Sequence, residues 1–110
     1  MEELVKGDVV VVPFPFSDLS QSKRRPALVI APLEGDDAIL CQITSKTIKD
    51  TYAIPINDTD FSSGTLEQPG NLRPNRLFTA DSHIILYRVG SIKLDKLAEI
   101  VEKLVEIIKG

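Results

Sequence analysis

The chain has few of the residue types on which several common chemistries depend. Its 110 residues include one cysteine, one histidine and no tryptophan, and its aromatic side chains are four phenylalanines and two tyrosines. One cysteine excludes an internal disulfide, and Cys41 and His83 alone cannot supply a zinc site. The sequence has no glycine-rich phosphate loop. Because Ser17, Ser20 and Ser22 have no histidine nearby in the sequence, a serine hydrolase is not expected.

Composition and charge predict one globular domain over residues 1–110. Hydrophobic residues make up 43% and charged residues 26%, which suits a single compact core. Acidic residues outnumber basic ones, and the net charge of −3 argues against broad binding to nucleic acid. The acidic start lacks the positive charge of a secretory signal, and no apolar run is long enough to span a bilayer. We therefore expect a cytoplasmic protein with no membrane contact, and any anion-binding site should be local.

The hydrophobic pattern predicts a mainly β chain that ends in one helix. Apolar and β-branched runs predict strands at 9–12, 27–31, 38–44, 52–56, 77–79 and 84–89. The polar, glycine- and proline-containing stretch 57–71 is predicted to be a long loop. Apolar residues then recur at three- and four-residue spacing over 94–108, as in an amphipathic helix. Lys93 cannot cap that helix, so its start is expected to fray or to move to Asp95. This order of elements predicts a small bent sheet or barrel covered by a helix.

The most informative segment is 7–30, in which a polar loop joins two apolar strands. Three consecutive cations stand at the entrance to the second strand: Lys23, Arg24 and Arg25. In an acidic chain such a cluster repels itself unless an anion binds to it. Pro26 restricts Arg25 to extended backbone, and a fixed guanidinium can hold a phosphate through two hydrogen bonds. The alternative is a structural role, in which Arg25 caps a sheet edge or pairs with Asp8 or Asp18.

Two later segments carry polar residues near predicted strand ends. In 41–45, strand alternation sets Ile43 and Thr44 on opposite faces, so Thr44 can face a cleft if Ile43 is in the core. Thr44 can equally be an ordinary solvent-facing threonine at a strand end. In 71–79, Arg73 and Arg76 are either phosphate contacts or solvated surface residues.

These three segments resemble the MazF/PemK-like toxins, small ribosome-independent endoribonucleases of bacterial toxin–antitoxin pairs. The resemblance covers residues 7–90, is strongest over 7–30, and extends to the position of the C-terminal helix. It implies an SH3-like barrel, the fold shared by the CcdB, MazF and PemK toxins. It further implies sequence-specific cleavage of single-stranded RNA without metal or cofactor, by attack of the ribose 2′-OH on the adjacent phosphate.

The resemblance also implies roles for particular residues. Arg25 corresponds to the family's active-site arginine and would stabilise negative charge on the phosphate, while Thr44 would hydrogen-bond a phosphate oxygen. The implied RNA contacts are Lys23, Arg24, Ser45, Arg73, Arg76, Thr79 and Asp81. Some members place a carboxylate general base in the last segment; Asp81 is the nearest carboxylate, whereas the register points to Thr79, so the base stays open.

The implied partners are single-stranded RNA (mRNA, tRNA or rRNA), a second copy of the chain in a homodimer, and an acidic antitoxin that competes for the RNA groove. The competing interpretations are a toxin of the same fold that acts on a protein target, as the CcdB-like gyrase poisons do, a catalytically degenerate member, and a noncatalytic SH3-like binding module. All four phenylalanines are predicted to be core residues: Phe14, Phe16, Phe61 and Phe78. For Phe16 and Phe61, which lie in predicted loops, the alternative is stacking on a base.

Overall fold

A computed structural model describes residues 3–14 and 23–110 of the chain, with seven strands in one antiparallel sheet and one long helix. The strands are β1 (Asp8–Phe14), β2 (Lys23–Pro32), β3 (Asp37–Thr44), β4 (Ile54–Ile56), β5 (Phe61–Gly64), β6 (Gly70–Asp81) and β7 (Tyr87–Ile92), and the helix is α1 (Leu94–Lys109). Their order across the sheet is β4–β6–β3–β2–β1–β7–β5. The predicted mainly β fold with a C-terminal helix is confirmed, in the form of a half-barrel. No helix in the described ranges is long and apolar enough to cross a membrane.

The central strands are buried on both faces, which explains the unbroken apolar run in β1. Val9 lies opposite Leu28 in one core cluster, and the next pair, Val10 and Ala27, belongs to a second cluster. Neighbouring residues of a strand point to opposite faces, so each strand contributes to both clusters. The helix α1 covers the first cluster. The sequence of a strand that is buried on both faces is a continuous run of hydrophobic residues, without alternating polar ones.

Two segments differ from the sequence prediction. Within the predicted loop 57–71, Asn57 and Asp60 form a capping box around a short 3-10 turn, and β5 follows it. Strand β5 pairs with β7 so closely that a Cβ on Gly64 or Gly90 would collide with the opposing backbone. Strand β6 begins at Gly70 rather than near 77, and β7 begins three residues later than predicted, after a 3-10 turn at Ser82–Ile84. Contacts between distant residues stabilise these elements, and local propensity does not reveal them.

Asp8 is buried and is fully engaged away from Arg25. Its carboxylate accepts hydrogen bonds from the Val5 backbone N–H and the Ser91 hydroxyl, at 3.0 and 2.8 Å, and the guanidinium of Arg88 lies 3.4 Å away. It thereby ties the start of β1 to β7. The structural pairing of Arg25 with Asp8 is therefore wrong, and Asp18 lies outside the described residues.

The helix start agrees with only part of its prediction. Lys93 occupies the N-cap position without a side-chain hydrogen bond, as expected, but α1 begins at Leu94 and does not move to Asp95. Packing against the sheet therefore holds the helix in place of a cap. Its buried residues are Leu97, Ile100 and Leu104.

Two identical substitutions in α1 test this packing. Ile100 is completely buried, whereas Ile108 is 75% exposed. We expect Ile100→Ala to lower the free energy of unfolding by about 2–5 kcal/mol, since it leaves a cavity under the helix. Ile108→Ala should cost less than about 0.5 kcal/mol. Urea denaturation monitored by circular dichroism measures both, and equal losses would contradict the assigned face of the helix.

Candidate functional site

A pocket of about 440 Å³ opens where β2 begins and β3 ends. The segment 65–70, which runs from the end of β5 to the first residue of β6, also lines it, and β1 and β7 contribute Val11, Tyr87 and Val89. Its volume is in the range of small-ligand sites, roughly 300–1,000 Å³. The lining residues are Val11, Arg24, Arg25, Pro26, Ile43, Thr44, Ser45, Thr65, Leu66, Glu67, Gln68, Pro69, Gly70, Tyr87 and Val89.

The register between β2 and β3 brings Arg25 and Thr44 together. Ala27 pairs with Gln42, so two residues further along the strands Arg25 lies across from Thr44. Thr44 is only 8% exposed, and its hydroxyl oxygen accepts a hydrogen bond from the Lys46 N–H at 3.2 Å. Because that oxygen already accepts a bond, the hydroxyl proton remains available to donate into the pocket. The described part of the chain contains no ion-pair partner for Arg25.

Arg25 and Thr44 both line the pocket, with Arg24 and Ser45 beside them. Ile43 is buried in the first core cluster, which is the condition under which Thr44 was expected to face a cleft. Fixed donors of this kind suit an oxyanion, and phosphate in particular.

Four lining residues with polar or aromatic side chains are not among the predicted site residues. Thr65, Glu67 and Gln68 come from the segment 65–70, and Tyr87 is the first residue of β7. None of them belongs to a recognisable motif. The pairing of Val11 with Tyr87 is a contact between distant residues, and no sequence signal in a single chain predicts it.

Arg73 lies outside the pocket and fastens the segment that follows β3. Its Nη2 lies 3.3 Å from Oδ2 of Asp50, and the Asn71 side-chain amide donates to the Lys46 carbonyl at 3.1 Å. Desolvation disfavours the Asp50 charge, but hydrogen bonds from the Tyr52 and Ala53 amides and from Arg73 outweigh it and lower the pKa of Asp50. The neighbouring Cys41 thiol, whose pKa burial raises to about 12, donates to the Arg73 carbonyl.

The other predicted RNA contacts also lie outside the pocket lining. Lys23 is exposed at the start of β2, and Arg76 and Thr79 are exposed along β6. Asp81 is opposite Asp37 at the far end of β3, about 23 Å along the strand from Thr44 at 3.3 Å per residue. The pocket lining thus includes Arg24, Arg25, Thr44 and Ser45, and it does not include Lys23, Arg76, Thr79 or Asp81.

Asp81 has local partners of its own. It caps the 3-10 turn by accepting from the His83 N–H at 2.8 Å, and its carboxylate contacts the His83 ring at 2.6 Å. These two bonds, the backbone one foremost, lower the pKa of Asp81. Asp36 joins them in an exposed group whose potential ligand atoms lie within 4.8 Å of one another.

The loop aromatics divide between the core and the undescribed part of the chain. Phe61 is 7% exposed and packs in the core, which confirms the core prediction and removes the alternative that it stacks on a base. Phe16 and the side chain of Phe14 lie outside the described residues. Phe78 packs against the second core cluster, as predicted.

The fold is that of known bacterial toxins. An endoribonuclease in complex with its cognate antitoxin from a mycobacterial species matches with a TM-score of 0.75 over 99% of this chain and 96% of that chain, at 12% identity. A MazE–MazF structure from Deinococcus radiodurans matches with a TM-score of 0.74 over 94% of each chain, at 22% identity. The Mycobacterium tuberculosis toxin MazF-mt6 matches with a TM-score of 0.68 over 91% of this chain and 96% of that chain, at 14% identity.

The sequence gives a family assignment as well. No curated protein sequence matches this chain. The model of the PemK-like, MazF-like toxins of type II toxin–antitoxin systems matches residues 5–108. The chain belongs to this family, which confirms the resemblance seen in its sequence.

Two arginines of β6 offer a matched test of the Asp50 contact. Arg73 is paired and mostly buried, whereas Arg76 is exposed. We expect Arg73→Ala to lower the urea midpoint at pH 7 clearly more than Arg76→Ala does. A carboxyl group whose pKa is lower in the folded than in the unfolded protein stabilises the fold at pH values above its unfolded pKa. This stabilisation is lost as the pH falls through the pKa of the folded protein. The difference in urea midpoint between the two variants should therefore narrow below about pH 4. Equal midpoints at pH 7 would show that the contact is unimportant.

Proposed function

We propose that this protein is a toxin endoribonuclease that cleaves single-stranded RNA and is neutralised by a cognate antitoxin. Family membership and the structural similarity to proteins described as endoribonucleases support this proposal. The observation that carries it is the meeting of Arg25 and Thr44 in one pocket. Nothing in the described residues favours a protein target of the gyrase-poison kind.

In the proposed reaction, the 2′-OH of one nucleotide attacks its own 3′-phosphate. A bond forms between O2′ and phosphorus, and the bond from phosphorus to the 5′ oxygen of the next nucleotide breaks. The products are a 2′,3′-cyclic phosphate and a 5′-OH, whose proton comes from solvent. Arg25 stabilises the extra negative charge on the non-bridging oxygens, and the Thr44 hydroxyl donates to one of them. A guanidinium does not lose its proton near neutral pH, so Arg25 is not the base.

Glu67 is our candidate for the group that accepts the 2′-OH proton. It supplies the one carboxylate among the described residues that line the pocket. Asp81 is the nearest carboxylate to the family's last segment, but it lies beside Asp37, at the end of β3 away from Thr44, and is bonded to His83. Glu67 is exposed, on a connecting segment that can adjust when RNA enters.

The proposed antitoxin contact uses the positive charges of Arg24 and Arg25. An acidic, extended segment can place a carboxylate on Arg24 or Arg25 and so exclude the phosphate of RNA. In a chain of net charge −3, these two arginines are a local attraction for either anion. A homodimer, in which RNA lies across both subunits, is part of the same proposal.

The central test is cleavage of a long single-stranded RNA in EDTA, with the product ends mapped. We expect Arg25→Ala to abolish cleavage and Thr44→Ala to lower the rate about 10²–10³-fold, because each removes a fixed donor to the phosphate. Arg76→Ala, a charge-matched control outside the pocket, should retain most activity. Thermal melting checks that each variant folds. Full cleavage by folded Arg25→Ala would refute the proposal.

Glu67→Gln tests the proton acceptor separately, because glutamine keeps the size of the side chain and removes its basicity. We expect kcat to fall about 10²–10⁴-fold with KM little changed. Glu99→Gln, an exposed change on α1, is the matched control and should have no effect. If Glu67→Gln cleaves at the wild-type rate, another group or solvent takes the proton, while the role of Arg25 stands.

A further inference from the structure

Part of the pocket lining is an aromatic and apolar row that crosses three strands. Val11 of β1 lies opposite Tyr87 of β7 on one side and opposite Pro26 of β2 on the other. Directly opposed residues in an antiparallel sheet point to the same face, with Cβ atoms about 4.5–5.5 Å apart. Tyr87, Val11 and Pro26 therefore form one continuous row across three strands, and all three line the pocket.

Tyr87 is the member of this row that is available to a ligand. Tyr87 is 47% exposed, whereas Val11, its neighbour in the row, is 7% exposed. An aromatic ring left half-exposed on the wall of a pocket loses apolar burial that the protein could otherwise gain. No ion pair, hydrogen bond or ring contact from another described side chain occupies it.

The chemistry of the remaining lining residues determines what can lie on that row. Arg24 lies two residues before Pro26, on the same face of β2, and attracts an anion to the pocket, and Gln68 offers both an amide donor and a carbonyl acceptor. A nucleotide combines the same three features: a phosphate, a flat ring and a polar ring edge. Bases stack on aromatic side chains in single-stranded nucleic-acid sites, and glutamine can read a base edge with paired hydrogen bonds.

We infer that Tyr87 is the stacking platform of a nucleobase subsite, in which a base of the bound RNA lies between Tyr87 and the segment 65–70, with Gln68 at its edge. The inference rests on the proposed ribonuclease function and adds the source of base selectivity. Tyr87 contacts the base in this arrangement and takes no part in proton transfer.

The test compares Tyr87→Ala and Tyr87→Phe with Leu86→Ala. Leu86 is the matched control because it is adjacent, 46% exposed and outside the pocket lining. Binding is measured by fluorescence anisotropy on a mixed-sequence 2′-O-methyl RNA pool, which lacks the attacking hydroxyl. Cleavage is measured as kcat/KM on an RNA that contains the mapped motif. We expect Tyr87→Ala to weaken both by roughly 5- to 150-fold. Tyr87→Phe and Leu86→Ala should stay within about twofold of wild type, since the ring and not the hydroxyl does the stacking.

Abasic substitution, one position at a time, then identifies the contacted base. Wild type should lose kcat/KM when that base is removed, and Tyr87→Ala should lose nothing further at the same position. The inference is overturned if Tyr87→Ala matches Leu86→Ala, or if abasic losses are the same in both proteins. If wild type binds the pool but cleaves no RNA, the ribonuclease proposal fails. The anisotropy comparison of Tyr87→Ala with Leu86→Ala then still shows whether Tyr87 contacts the RNA. If wild type does not bind, both fail.

Discussion

The pairing of β2 with β3 is the constraint on which the site depends. Both strands are buried on two faces, and their register sets Leu28 against Cys41 in one cluster while Ala27 and Leu40 pack in the other. A slip of one residue would exchange the two faces of a strand and bury the wrong side chains. The core therefore fixes the register far more tightly than any contact at the pocket could. That same register carries Arg25 to its position across from Thr44, so the core packing aligns the polar pair.

Two irregular segments complete the pocket, and each is tied to the sheet by its own bonds. The residues after β3 are held by Asn71 on the Lys46 carbonyl and by Arg73 on Asp50. The segment 65–70 leaves β5 with Thr65 bonded to Asp58 and reaches β6 at Gly70, where a Cβ would press on the Thr44 backbone. Fixed strands thus supply Arg25, Thr44 and Tyr87, whereas an exposed segment supplies Glu67 and Gln68. A site that must admit a flexible chain and then align it benefits from this division.

The parts of the molecule that were predictable from sequence are those with a local signal. The run at Val9, the cations before Pro26 and the period of α1 each reflect burial or charge within a few residues. Strand β5 and the early start of β6 were missed because their pairing partners are distant and their own residues favour turns. The same difference between local and distant contacts distinguishes the site residues that were predicted from those that were missed. Arg25 and Thr44 stand beside apolar strands that mark their positions, whereas Tyr87 and Glu67 reach the pocket only through the topology. Arg73 is a predicted phosphate contact in the sequence, and its contact with Asp50 joins two residues that are distant in the sequence, so no local signal predicts it.

The acidity of the chain and its arginine-lined pocket are consistent with one another. Glu102 and Glu106 are exposed on α1, and Asp36 and Asp37 are exposed at the far end of β3. These charges repel a polyanion from their own parts of the surface, at distances up to about the 8–10 Å screening length. Arg24 and Arg25 attract one at the pocket, and exposed cations outside its lining, Lys23 and Arg76 among them, add to that attraction. Because the net charge is −3, nonspecific phosphate contacts, which usually dominate nucleic-acid affinity, contribute less here than in a basic protein. Under the proposed function, more of the selectivity therefore rests on contacts with a base and with one phosphate.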